Sequence, residues 1–166
     1  MSDFTQFTSI VRELSREKFV ELLDASPRQA RETFFSRHGV RLPKMRGRRP
    51  PKPGEKRAIR AAGLFEALQQ TQDDELCEEL LRNWLLTKRE MLAAALDHLG
   101  IEHNHGLTQS DELEKVGELS AADLAELAKA IEDVATAADI AIYLKFLGAK
   151  NVDAALGLDM PAEAGQ

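Results

Sequence analysis

Asp73-Asp74-Glu75-Leu76-Cys77-Glu78-Glu79-Leu80-Leu81-Arg82-Asn83-Trp84-Leu85 is the stretch that decides the fold class. Leu76, Leu80 and Trp84 recur every fourth residue, and Cys77, Leu81 and Leu85 flank them, so a helix would gather all six on one broad apolar stripe. The three acids that open the stretch sit where a helix dipole favours negative charge. Outward toward the C-terminus the same logic repeats. Thr87-Lys88-Arg89-Glu90 reads as a capping box that stops this helix and starts another through Met91, Leu92, Ala95, Leu96 and Leu99, ended by Gly100. Ser120 and Asp123 form the next box, ahead of Leu124, Leu127, Ala128 and Ile131. Thr136 and Asp139 then open a helix with Ile140, Tyr143, Leu144 and Leu147, ended by Gly148. Ile142 and Phe146 lie on its other side, so it is expected to be the most buried helix.

Toward the N-terminus, helical character begins around Glu55 and runs through Ile59, Leu64, Phe65 and Leu68, weakened by Gly63. Residues 40–53 hold four of the six prolines, Pro43, Pro50, Pro51 and Pro53, so no helix can pass through them. Before this linker, Ser26-Pro27 reads as a helix restart, with Ser26 as cap, Gln29 completing a capping box and Gly39 ending the helix. Ser15 offers a cap for a short helix carrying Phe19, Val20, Leu22 and Leu23. Phe4, Phe7, Ile10, Val11 and Leu14 have the spacing of a first one.

The expected fold is all-α: antiparallel helical hairpins in a bundle or short array, interrupted by a basic, proline-rich linker. From capping residue to closing glycine the distance is 13 residues for Ser26 to Gly39, 13 for Thr87 to Gly100 and 12 for Thr136 to Gly148. That likeness reads either as duplication or as three solutions to the same capping problem, and a sequence repeat normally preserves more side chains. The chain is expected to divide into a helical unit over 1–39, a linker over 40–54, a helical domain over 55–158 and a flexible tail over 159–166.

At 166 residues the chain is long enough to build a core without staples. The single Cys77 cannot close an intramolecular disulfide and has no paired-cysteine metal motif near it. The longest apolar run, Met91 to Leu96, is far short of a membrane span, and Met1-Ser2-Asp3-Phe4 lacks the features of a signal peptide. A cytoplasmic protein with no membrane contact is the expectation.

The net charge of −6 conceals an asymmetry. Residues 1–72 carry 15 basic and 8 acidic residues, a balance of +7, whereas 73–166 carry 7 and 20, a balance of −13. Between Arg41 and Arg60 nine basic residues face Glu55 alone, +8 in twenty residues. Such a concentration calls for a polyanion, or for an acidic surface on a protein partner or on the chain itself.

Within it, Pro43-Lys44-Met45-Arg46-Gly47-Arg48-Arg49-Pro50-Pro51-Lys52-Pro53 resembles an AT-hook, a short motif whose arginine-glycine-arginine-proline core lies extended in the narrow minor groove of A·T-rich DNA. The resemblance covers these eleven residues, with an additional Arg49 between Arg48 and Pro50. It implies that Gly47 lets the backbone approach the groove floor, that Arg46 and Arg48 point inward where the potential is most negative, and that flanking lysines meet phosphates. The candidate nucleic-acid contacts are Lys44, Arg46, Gly47, Arg48, Arg49, Lys52, Lys56 and Arg57. No aromatic lies between residues 36 and 64, which argues for duplex contacts over single-strand stacking.

A second cluster, Asp97-His98-Leu99-Gly100-Ile101-Glu102-His103-Asn104-His105, gathers three of the four histidines. His98, His103 and His105 are possible ligands for a divalent metal, but they straddle a helix-ending glycine and need not share a face. A polar loop is the better reading of them. Catalytic machinery is otherwise absent: the serines mostly occupy capping positions, Cys77 falls on an apolar stripe, and the ten glycines are scattered with no phosphate-cradling loop, so no cofactor is implied. Trp84, the sole tryptophan, reads as core. The expectation is a non-enzymatic interaction protein whose arm contacts DNA while its acidic helical body binds a protein partner or itself. The alternatives are a protein–protein adaptor whose arm docks on an acidic surface, and a metal-dependent helical enzyme using the histidines.

Overall fold

The computed structural model describes residues 7–42, 49, 52–108 and 111–158. They are helical, with no strand among them, as the apolar spacing predicts. Phe4, the prolines at 43, 50 and 51, and the tail over 159–166 lie outside the described residues.

The chain forms two compact units, one spanning Gln6–Thr87 and the other built on Lys88–Gln166. The first holds α1 (Phe7–Arg12), α2 (Arg16–Ala25), α3 (Arg28–Arg37), α4 (Pro53–Gln70) and α5 (Asp74–Leu85). The stripe read on α5 is its centre: Leu76, Cys77, Leu80, Leu81 and Trp84 are all fully buried. Around it pack Val11 of α1, Phe19 and Leu22 of α2, Phe34 of α3, and Leu64 and Leu68 of α4. The main pairings join helices distant in sequence, α2 with α5, α1 with α5 and α2 with α4. This unit is a bundle closed by its last helix rather than a row of consecutive hairpins. For the same reason packing does not divide the chain in the linker at 40–54. Residues 55–87 belong with α1 to α3, because the main packing partners of those helices are α4 and α5.

The second unit holds α6 (Arg89–Leu99), a 3-10 helix over Asp111–Glu118, α7 (Ala121–Ala130), α8 (Ala137–Phe146) and the short α9 (Val152–Ala155). Ile140 to Leu144 are all buried, which makes α8 the most enclosed helix of this unit. The 3-10 helix and α9 escape sequence reading, being short and carrying one buried apolar side chain each, Val116 and Val152.

Several caps form as read and two do not. Ser15, Ser120 and Thr136 each accept a backbone N–H of the helix they precede, from Lys18, Asp123 and Asp139. Gly39, Gly100 and Gly148 take the left-handed conformation, with φ of 65°, 71° and 93°. Ser26 does not cap α3, and the box with Gln29 is not made. Its hydroxyl is buried, donating to the Leu22 carbonyl and accepting from Asn83 Nδ2 at 3.2 Å, so a partner on α5 has taken the capping oxygen. Nor does Thr87 open α6: its hydroxyl donates to the Trp84 carbonyl at 2.6 Å and closes α5 instead.

Candidate nucleic-acid interface

The basic segment is rooted at both ends in the first unit. On the α3 side, the turn at Gly39 lets the Val40 N–H reach the Phe35 carbonyl at 2.8 Å. Val40 then packs onto α4 at Gly63, where a Cβ would come within 3.0 Å of Val40 Cγ1. Gly63, which reads as a weakness in the helix, is the notch that seats the outgoing chain. His38 fixes the same root: its Nε2 lies 2.8 Å from Asp73 Oδ2, both side chains almost enclosed, and Arg37 Nε approaches that oxygen at 3.1 Å. Asp73 meanwhile caps α5 by accepting the Leu76 N–H.

On the other side the segment runs into α4. Pro53 opens the helix, and the Lys52 N–H donates to the Glu55 carboxylate at 3.2 Å. Proline at the first helical position loses no hydrogen bond there. Helix α4 therefore starts two residues before the sequence expectation.

Of the candidate contacts, Lys44, Arg46, Gly47 and Arg48 lie outside the described residues. Arg49, Lys52, Lys56 and Arg57 are all exposed. Arg57 Nη1 stands 3.7 Å from Asp24 Oδ1, a loose pair between two solvated groups. Arg49, Lys52 and Lys56 have no ion-pair partner among the described residues. Lys52 and Lys56 also stand at the positive end of the α4 dipole, where a cation is intrinsically disfavoured and a bound anion would relieve the repulsion.

Arg60, the last cation of the segment, is differently placed. Its guanidinium makes a two-pronged contact with Glu32 at 3.0 and 2.6 Å and lies 4.1 Å from the centre of the Phe35 ring. The Arg60 hydrogen bond holds the Glu32 carboxyl below its ordinary range. The sequence gives no sign of this commitment, since Glu32 lies 28 residues away.

The histidines do not form a metal centre in the described residues, where no three potential ligands gather. His98 and His105 are exposed at different points of the chain. His103 instead organises the turn after α6. Its Nδ1 accepts the Gly106 N–H at 3.0 Å, which leaves the proton on Nε2 to donate to Asp97 Oδ1 at 2.7 Å. Asn104 and Leu107 close the turn with reciprocal backbone bonds of 2.7 and 3.0 Å.

Burial pushes the Cys77 thiol up to about 12, so the sulfur is protonated packing rather than a nucleophile. Trp84 is enclosed as its spacing predicts, its indole N–H donating to Glu21 at 2.9 Å. No helix among the described residues is long and apolar enough to cross a membrane. Comparison with protein-family models, with curated proteins and with solved structures finds no match to this chain.

Proposed function

We propose that this chain is a non-enzymatic helical protein whose basic segment, residues 41–60, contacts duplex DNA, with Arg46, Gly47 and Arg48 in an A·T-rich minor groove and Arg49, Lys52, Lys56 and Arg57 on phosphates. The acidic helical remainder serves a protein partner or a second copy. One observation carries the reading: a balance of +8 in twenty residues, whose exposed members Arg49, Lys52 and Lys56 have no carboxylate partner among the described residues. A polyanion supplies the missing countercharge, and its phosphates release condensed cations on binding. The rival, an adaptor whose arm docks on an acidic protein surface, draws on the same charge and lacks the arginine-glycine-arginine core as an argument.

Fluorescence-anisotropy titration against A·T-rich and G·C-rich duplexes at two salt concentrations tests the proposal. Tighter binding to A·T-rich duplex is expected, weakening with salt, and Arg46→Ala with Arg48→Ala should remove the preference. Salt-sensitive binding without preference would confine the arm to phosphates. Absence of binding at low salt would place the adaptor first.

A further inference from the structure

Between α2 and α4 the first unit leaves a cleft of about 470 Å³. Its walls are Phe19 and Val20 on one helix and Ala58, Ala61, Ala62 and Phe65 on the other. The rings of Phe19 and Phe65 lie with their centres 5.1 Å apart. Phe19 and Ala61 are fully buried there, whereas Val20, Ala62 and Phe65 keep part of their surface open. At its rim stand Arg16 and Glu17, adjacent in sequence, both exposed, and neither with an ion-pair partner among the described residues. Neighbours on a helix point about 100° apart and cannot neutralise each other.

From this arrangement we infer that the α2–α4 cleft is a two-fold interface between copies of this chain. A patch that meets itself across a two-fold axis must be its own complement: every contact of one residue with another is made twice, in both senses. This one meets the condition in charge, because Arg16 of one protomer can face Glu17 of its partner while Glu17 faces the partner's Arg16. An acidic or a basic partner would satisfy only one of the two rim charges. The inference is independent of the DNA reading. A monomer that binds DNA would overturn it alone, and a dimer that ignores DNA would leave it standing.

Sedimentation equilibrium of the full chain, 18.4 kDa per copy, across a range of concentrations reads the outcome directly. The wild type is expected to reach twice the monomer mass. Arg16→Glu sets Glu against Glu across the axis and Glu17→Arg sets Arg against Arg, so each single reversal should raise the dissociation constant about tenfold or more. Mixing the two variants should restore the doubled mass, because every cross-axis pair is then opposite in sign. The double reversal in one chain should dimerise as the wild type does. Ala62→Asp, which puts a charge in the apolar part of the cleft, should weaken the dimer regardless of the rim. A wild type that stays monomeric throughout would overturn the inference, as would a dimer indifferent to both single reversals, or single variants that remain apart when mixed.

Discussion

Thr8 holds one carboxylate oxygen twice: its N–H reaches Asp74 Oδ1 at 2.9 Å and its hydroxyl donates to the same atom at 2.6 Å. The hydroxyl oxygen accepts the Asp73 N–H in return, so a threonine on α1 satisfies the first turn of α5 from outside. The Thr8 hydrogen bonds keep the Asp74 carboxyl below its ordinary 3.8, against the opposing effect of burial. A folded-state value below the unfolded one means that the unfolded chain takes up its proton first as the solution is acidified. The contribution is therefore complete above about 4 and is lost as the pH falls through the folded value. Thr8→Val keeps the shape and removes the hydroxyl. It should cost about 1–2 kcal/mol near neutrality, and less in acid once the pH has fallen through the folded value, where the carboxylate is protonated in either state. Urea unfolding at the two pH values measures the difference; an equal loss at both would assign the threonine's role to packing alone.

Among the elements, α4 shows where a local rule yields to a distant contact. Glycine within a helix ordinarily costs up to about 1 kcal/mol relative to alanine, yet Gly63 faces Val40 so closely that a methyl group would stand 3.0 Å from Val40 Cγ1. Gly63→Ala should therefore give little or no gain in stability in the wild-type chain. In the Val40→Ala background, where the obstacle is gone, it should stabilise by up to about 1 kcal/mol, and a denaturant double-mutant cycle reads the coupling. Equal effects in both backgrounds would mean that Val40 does not press on α4. The same contrast explains what the sequence makes legible. The α5 stripe, the Ser120 box and the glycines that end α3, α6 and α8 depend on residues a few positions apart, and periodicity and capping chemistry find them. Ser26 is lost to Asn83, 57 residues on, and Thr87 turns back to the carbonyl of Trp84 instead of forward to α6. The candidate site divides in the same way. Its charge and its arginine-glycine-arginine core are local and readable, whereas the anchoring of its root by His38 on Asp73 and the withdrawal of Arg60 to Glu32 and Phe35 appear only when distant helices meet.

Across the whole molecule the two units carry opposite charge. Residues 6–87 hold 16 basic and 12 acidic residues, a balance of +4, and residues 88–166 hold 6 and 15, a balance of −9. The basic segment thus belongs to a unit that a polyanion attracts, joined to one that it repels, and both effects fade with salt as the screening length falls to about 8 Å at physiological ionic strength. Salt dependence alone therefore does not identify the contacting residues; charge removal at chosen positions does. Lys52 and Lys56 are exposed and without ion-pair partners among the described residues, so replacing both by Ala should reduce the magnitude of the log–log slope for duplex binding by about 1.8, two phosphates at about 0.9 each. Arg60→Ala removes a charge from the same segment, but one already spent on Glu32. The slope should stay close to wild type, while stability falls because Glu32 and the Phe35 face lose their partner. Titrating the three proteins against one duplex over a salt series, with unfolding curves alongside, separates the two classes of cation. Equal slope changes for Arg60 and for the lysine pair would mean that DNA senses the segment as a diffuse charge, and that the ordering of its cations by the fold has no part in binding.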